Sequence, residues 1–153
     1  MTTERPLLER EAEYRPAVPA TLEAIHFELD QFWAQMTSSL VSSMTDRWKL
    51  EFTTALAEIC ANVIQHAFAE PHRPGTMALL LRLYNDRVEA EITDDGDVFH
   101  EEFATADPAS DQVADLPESG RGLQVARALL DTLRYRRSQE SENQWLLVKM
   151  LPQ

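Results

Sequence analysis

Residues 58–66 read EICANVIQH, and three polar side chains recur in this stretch at a strict four-residue spacing: Glu58, Asn62 and His66. Because an α-helix has 3.6 residues per turn, this spacing stacks a carboxylate, a carboxamide and an imidazole along one face. Residues 51–70 contain no Lys or Arg that could pair with this stripe, as the face of a solvated helix usually would. A second, apolar stripe is formed by Leu50, Phe52, Leu56, Ala57, Ile59, Cys60, Ala61, Val63, Ile64 and Phe68. The stretch predicts a mostly buried helix whose polar face is aimed at a ligand, the alternative being a solvated stripe.

Length and charge limit the kinds of protein that this chain can be. With 153 residues, 44% of them apolar, residues 1–153 are expected to form a single domain with one core. The formal net charge of −12 disfavours nucleic acid and anionic membranes as partners. The N-terminal segment MTTERPLLER has no apolar signal core and no apolar run is long enough to cross a bilayer, so a cytoplasmic protein is expected. The single cysteine, Cys60, lies on the apolar side of the helix and is expected to be an inert buried thiol.

The first half of the chain predicts two helices followed by a hairpin. Residues 1–10 are polar and expected to be disordered, and Ala12 to Val18 is expected to form an edge strand. Apolar spacing and breaker residues predict helices from Ala20 to Ser43 and from Asp46 to Ala69, and strands from Met77 to Tyr84 and from Arg87 to Thr93 around an Asn85–Asp86 turn. Phe32, Trp33 and Met36 share one face of the first helix. They fit a core position or a partner contact, and the core is favoured.

The second half begins with an acidic stretch. Residues 94–118 contain nine acidic residues and no Lys or Arg, and we interpret residues 100–119 as a long loop that closes over a site as a lid. Gly120, Arg121 and Gly122 then stand before a predicted helix, where backbone N–H groups can approach an anion such as phosphate. Two further strands are predicted from Leu133 to Arg137 and from Gln144 to Leu151, around a turn of Ser141, Glu142 and Asn143. The predicted fold is an α/β (α+β) two-layer sandwich, with a mixed, mostly antiparallel sheet covered on one face by helices.

Each motif alone is weak, and their order along the chain gives them meaning. The series ExxxNxxxH from Glu58, DxGxxF from Asp94 and SGRGL from Ser119 resembles the N, G1 and G2 boxes of the GHKL ATPase superfamily. Within that superfamily, the small size and the GRGL and ARALLD sequences are similar to the anti-sigma factor serine/threonine kinases of bacterial partner-switching systems. The resemblance covers residues 12–151. It implies a Bergerat-type fold that binds ATP and Mg²⁺.

The resemblance also implies a role for each motif residue. Asn62 corresponds to the Mg²⁺ ligand and Glu58 to the base that accepts the proton of the attacking hydroxyl. Asp94 corresponds to the acceptor of the adenine amine, with Gly96 allowing close approach of the backbone. Gly120, Arg121, Gly122 and Leu123 correspond to the phosphate-binding segment, although Arg121 could equally face solvent. His66 is expected to support the site rather than act in chemistry.

Two departures from the family pattern leave two functions open. Val98 and Gln124 stand where many relatives have glycine, which could alter lid closure or slow turnover. The first function is a kinase that sequesters a sigma factor or comparable regulator and phosphorylates an anti-anti-sigma antagonist of the STAS type. The alternative is a nucleotide-gated binding switch that transfers no phosphate. A homodimer is compatible with either function, and the presence of both Glu58 and Asn62 favours the kinase.

Overall fold

The computed structural model describes residues 4–15, 17–36, 43–67, 75–98 and 118–152. These residues form one sheet and three α-helices, and a π-helical turn (Val63–Ala67) continues the second helix. The elements in chain order are β1 (Leu8–Tyr14), α1 (Thr21–Gln35), α2 (Asp46–Asn62), β2 (Met77–Leu83), β3 (Arg87–Asp94), α3 (Glu118–Leu129), β4 (Thr132–Arg137) and β5 (Asn143–Met150).

The sheet has the spatial order β1-β2-β3-β5-β4. Every pairing between its strands is antiparallel. The predicted two-layer sandwich is confirmed, and the predicted mixed sheet is antiparallel throughout the described strands. The reason is topological: β3 and β4 run in the same direction, but β5 lies between them and is antiparallel to both.

The helices cover one face of the sheet, where the core lies. Alternate residues of β2, β3 and β5 are buried, as expected for strands with one covered face. The largest fully buried core side chains include Phe32, Phe52, Leu56, Ile59, Leu79, Leu81, Ile92 and Leu147. Burial of each such side chain contributes roughly 1.5–3 kcal/mol, so this layer contact is the main source of stability.

The aromatic face of α1 belongs to the core, as favoured from the sequence. Phe32 and Met36 are buried, and Trp33 packs edge-on against Trp48 and Phe52 of α2. One member of the apolar stripe predicted for α2 is an exception. Leu50 is 65% exposed, because it lies on the side of α2 turned away from the sheet.

The ends of the first two helices differ from the prediction. Helix α1 ends at Gln35 rather than Ser43, because Met36 takes an extended conformation. Helix α2 begins as predicted, with the Thr45 hydroxyl accepting a hydrogen bond of 3.1 Å from the Trp48 N–H. Its α-helical part ends at Asn62, and the wider π turn then takes His66 out of the four-residue register.

The N-terminal segment is an ordered edge strand, so the prediction that residues 1–10 are disordered is wrong for residues 8–10. Strand β1 begins at Leu8 and pairs with β2, whereas a strand was predicted from Ala12. Its partly buried residues alternate with exposed glutamates, and Arg10 forms an ion pair with Glu28 of α1. The polar composition of residues 8–14 therefore did not indicate that this segment forms a half-buried strand.

The two hairpins form close to their predicted positions. Asn85 and Asp86 connect β2 to β3, and the Tyr84 N–H donates to the Arg87 carbonyl at 2.8 Å. The turn between β4 and β5 includes Ser141, whose φ of 63° is left-handed. Asn143, predicted as a turn residue, is instead the first residue of β5 and is only 2% exposed.

Candidate active site

Two members of the polar stripe on α2 remain in register one turn apart. Asn62 is 4% exposed and Glu58 is partly buried. The Asn62 Nδ2 has no hydrogen-bond partner among the described residues, which is unusual for a buried amide. The side chain of His66 lies outside the described residues, so its supporting role stays a prediction. A neutral carboxamide at the end of an α-helix, beside a carboxylate, suits a ligand that contains a cation.

Helix α3 lies against α2, and a glycine makes this contact possible. A Cβ atom added at Gly122 would overlap the Oε2 atom of Glu58 and lie 3.3 Å from its Cδ atom. Gly122 therefore leaves the space that the Glu58 carboxylate occupies. This fixes the candidate base against a helix instead of leaving it on a solvated surface.

The glycine motif lies inside α3 rather than before it. The helix begins at Glu118, so Gly120 and Arg121 are in the first turn. The first four N–H groups of an α-helix have no partner within the helix, whereas the Gly122 N–H can bond to the first residue. This corrects the expectation that both glycines offer free N–H groups: Gly120, the third helical residue, retains that capacity, whereas the N–H of the fourth residue, Arg121, is already used within the helix, and Gly122 serves the contact with Glu58.

The two residues around Gly122 have opposite environments. Arg121 is exposed, consistent with its expected alternative of facing solvent. Leu123 is fully buried in the core, so its side chain packs rather than reaching a ligand. Of the contacts with the nucleotide predicted for Leu123, only one through its backbone therefore remains open.

The lid predicted at residues 100–119 falls almost wholly outside the described residues. Val98, which precedes the predicted lid, is 58% exposed.

Asp94, at the end of β3, is a buried carboxylate with one oxygen unused. It is 2% exposed, and its Oδ1 accepts hydrogen bonds from the Gly96 N–H at 2.9 Å and from Asn143 Nδ2 at 2.8 Å. Its Oδ2 is also buried but has no partner in the described part of the chain. Burial raises the pKa of Asp94 above its usual range, and the bonds from Asn143 and Gly96 oppose that rise. The free oxygen is a strong acceptor for a ligand N–H group.

The turn that follows Asp94 is held at several points. Asp95 Oδ1 accepts from the Thr76 N–H at 2.9 Å, and Arg137 Nη1 donates to the Gly96 carbonyl at 2.8 Å. Gly96 has no positive φ, so its small size matters here rather than its conformational freedom. Backbone and side chain of this turn therefore present a fixed surface next to the free Asp94 oxygen.

Two buried polar residues near these motifs, Gln124 and Asn143, do not stand out in the sequence. Gln124, considered only as a missing glycine, is 4% exposed, and neither its Oε1 nor its Nε2 has a partner among the described residues. Asn143 was assigned to a turn. Polar side chains are rarely buried, so a buried one is informative, but the sequence does not reveal which polar residues are buried.

The donor set fits a purine nucleotide with magnesium. Asp94 supplies an unpaired acceptor suited to an exocyclic amine, and the α3 N-terminus supplies N–H groups suited to phosphate. Within the described ranges, no group of three His, Cys, Asp or Glu side chains forms a metal site. Asn62 would therefore hold Mg²⁺ together with oxygens of the nucleotide and water.

Of the helices that the structure describes, none has the length and apolar character needed to cross a membrane.

These features define a nucleotide-binding α/β sandwich, and comparison with known proteins identifies its family. The chain belongs to the family of histidine kinase-like ATPase domains, whose model matches residues 16–149. The predicted membership of this ATPase superfamily and the Bergerat-type fold are confirmed.

The chain is also similar to individual proteins. The chain is similar to the serine-protein kinase RsbW of Halalkalibacterium halodurans, with 42% identity over 82 residues, 50% of this chain and 48% of the relative. The RsbW proteins of Bacillus mycoides (33% identity over 85 residues, 52% of this chain and 51% of the relative) and Bacillus subtilis (32% over 84 residues, 52% of each) are also similar. The chain spans about half the length of the curated relatives that it matches.

Proposed function

We propose that this protein is an ATP-dependent serine/threonine protein kinase that acts as an anti-sigma factor. In this role it sequesters a sigma factor or a comparable regulator in the cytoplasm, and it phosphorylates a STAS-type anti-anti-sigma antagonist. The observation that carries the proposal is the arrangement of Glu58, set into the space left by Gly122 and one turn before the buried Asn62. The similarity to proteins named serine-protein kinase supports the same reaction class.

The reaction is transfer of the γ-phosphoryl group of ATP to a serine or threonine hydroxyl. Glu58 accepts the hydroxyl proton while the hydroxyl oxygen bonds to the γ-phosphorus and the bond to the β,γ-bridging oxygen breaks, which releases ADP. Mg²⁺, when bound, neutralises the charge of the phosphate oxygens. Asn62 would hold that ion through its carboxamide, Asp94 would orient the adenine ring, and the Gly120 N–H would contact phosphate.

The test is the variant Glu58→Gln, which keeps the size and polarity of the side chain but removes its basicity. We expect Mg-ATP binding within about twofold of the unmodified protein, and a loss of phosphotransfer of about 10²–10⁴-fold. Binding is measured by calorimetry, and transfer by radiolabelled ATP with a small STAS-type protein as the phosphate acceptor. Full transfer by the variant would remove Glu58 from the mechanism.

A second function, a nucleotide-gated binding switch without transfer, is favoured by one observation. Gln124 of α3 fills a position where many relatives have glycine, and its side chain is buried. If the unmodified protein binds ATP and captures the regulator but shows no transfer to the antagonist, the switch replaces the kinase. The Glu58→Gln variant would then behave like the unmodified protein in both assays.

A further inference from the structure

We propose that Asn143 is a positioning residue for base recognition, which fixes Asp94 so that a single oxygen is left to accept the 6-amino group of a purine. This inference rests on the proposed nucleotide-binding function and extends it to the hairpin of β4 and β5. The hairpin carries none of the three sequence motifs. Its contribution follows from the strand register and from the hydrogen bonds below.

The register of the sheet brings the participating residues side by side. Asn143 is the direct cross-strand partner of Asp94 on β3 and of Arg137 on β4. Because these three positions are consecutive across neighbouring strands, their side chains are close without any special loop conformation. The hairpin can therefore act on Asp94 through a rigid part of the sheet.

Both hydrogens of the Asn143 amide are used toward the site. Nδ2 donates to Asp94 Oδ1 at 2.8 Å and to the Asp97 carbonyl at 2.7 Å, with the Gly96 carbonyl farther away at 3.4 Å. One amide group thus holds both the carboxylate and the turn that follows it. An NH₂ group has two hydrogens, so the two short bonds exhaust its capacity.

The other end of the same amide is fixed by two donors from β4. Asn143 Oδ1 accepts from the Tyr135 hydroxyl at 2.5 Å and from Arg137 Nη1 at 3.0 Å. A flipped amide would set its NH₂ against these two donors and its oxygen against the Asp94 carboxylate. The orientation of Asn143 is therefore determined by its surroundings, and with it the side that donates to Asp94.

The consequence for Asp94 is a carboxylate with two unequal oxygens. Oδ1 already accepts from Asn143 and Gly96, whereas Oδ2 is buried and unpaired within the described residues. Adenine presents an amine donor at position 6 and guanine presents an acceptor there. An acceptor oxygen fixed in this position favours the first and disfavours the second, so the substrate class is a 6-aminopurine nucleotide.

Charged groups around Asp94 act in both directions on its ionisation. The carboxylate of Asp95 raises the pKa of Asp94, and the guanidinium of Arg137 lowers it, while Asp97 contributes its carbonyl to the Asn143 amide. The bond from Asn143 lowers the same pKa. Removal of this bond should therefore shift the ionisation of Asp94 to higher pH.

The experiment compares Asn143→Leu with a matched control, Gln144→Leu. Gln144 is the next residue on β5, its side chain points to the opposite face, and its amide oxygen accepts hydrogen bonds from Arg136. Dissociation constants for Mg-ATP and Mg-GTP are measured by calorimetry from mildly acidic to mildly alkaline pH. For Asn143→Leu we expect ATP affinity to fall roughly tenfold or more, because the variant loses one hydrogen bond to a charged group. ATP-over-GTP preference should fall, and the pH midpoint of ATP binding should rise.

Several outcomes would overturn this inference. They are unchanged ATP affinity in Asn143→Leu, equal loss for ATP and GTP without a pH shift, or the same effect in Gln144→Leu. If Asn143→Leu does not fold, Tyr135→Phe removes one of the donors that orient the amide and should shift the same quantities by about two- to fivefold; no shift there also overturns it. Absence of phosphotransfer in a protein that binds ATP selectively refutes the kinase proposal and leaves this inference standing.

Discussion

The contact between Gly122 and Glu58 allows catalysis to be separated from stability by adding one methyl group. In Gly122→Ala the new Cβ would overlap Glu58 Oε2, but it would lie 3.3 Å from Cδ and 3.9 Å from Cβ of the same residue. Only the end of a flexible side chain is obstructed. The substitution is therefore expected to move the carboxylate and leave the two helices in place.

The energetic terms of this substitution nearly cancel. Alanine is favoured over glycine within a helix by about 1 kcal/mol, and displacing Glu58 from its rotamer costs about 0.5–1.5 kcal/mol. The net change in unfolding free energy is thus within about 1 kcal/mol of zero, a shift in Tm of no more than about 2–4 °C for a chain of this size. A base displaced by about 1 Å can lower the transfer rate by about 10²-fold.

Three measurements test this prediction. Thermal unfolding gives the Tm, calorimetry gives Mg-ATP affinity, which should change little, and radiolabelled transfer to the antagonist gives the rate. Ala128→Gly, at an exposed position in the last turn of α3, is the control: it should lose no more than about 1 kcal/mol of stability and keep its transfer rate. Normal transfer by Gly122→Ala would refute the reasoning, and so would a drop in Tm well beyond the predicted range, which would mean that Glu58 cannot move.

Four further predictions concern three buried residues. Asp94→Asn should weaken Mg-ATP binding by tenfold or more, because an amide donor replaces an acceptor; calorimetry showing an unaltered dissociation constant would remove Asp94 from the base pocket. Because the pKa of Asp94 is raised in the folded state, that state binds more protons than the unfolded one, so this group adds stability as pH falls, and Asp94→Asn should remove that slope in denaturant titrations. Gln124→Leu should raise the unfolding free energy by about 1–3 kcal/mol in urea titrations, since both amide atoms lack partners among the described residues; an unchanged midpoint would show that water or ligand satisfies them. Burial raises the pKa of the Cys60 thiol to about 12, so a thiol reagent should label it only after denaturation, and rapid labelling of the native protein would contradict this.

Periodicity and turn residues were sufficient to predict most of the architecture. The helix that carries Glu58, the hairpin around Asn85 and Asp86 and the aromatic face of α1 all follow from local spacing, which reports local structure well. The predicted start of strand β1 was wrong because the half-buried positions of this strand include Arg10 as well as apolar residues, and its other positions are glutamates. Its burial depends on contacts with β2 and α1 that lie far away in sequence.

The sequence predicted those site residues that lie within a recognisable motif. The order of motifs indicated Asp94 and Asn62, but the start of α3 was misjudged because glycine is a weak helix former, so the sequence suggested a loop through Gly122. Contact with α2 overrides that propensity. Asn143 was hidden for a related reason: the sequence SEN is typical of a turn, and its partner Asp94 is 49 residues away.

The two halves of the site rest on different kinds of structure, and this has a consequence for mutations. Recognition of the adenine ring depends on strand register, because Asp94 and Asn143 are cross-strand partners. The position of the candidate general base depends on helix packing, because Glu58 occupies the space beside Gly122. Changes in the sheet should therefore alter nucleotide affinity and selectivity. Changes between α2 and α3 should alter transfer while binding persists. Because the pairs Asp94–Asn143 and Glu58–Gly122 share no residue, combining Gly122→Ala with Asn143→Leu should give additive effects on binding free energy.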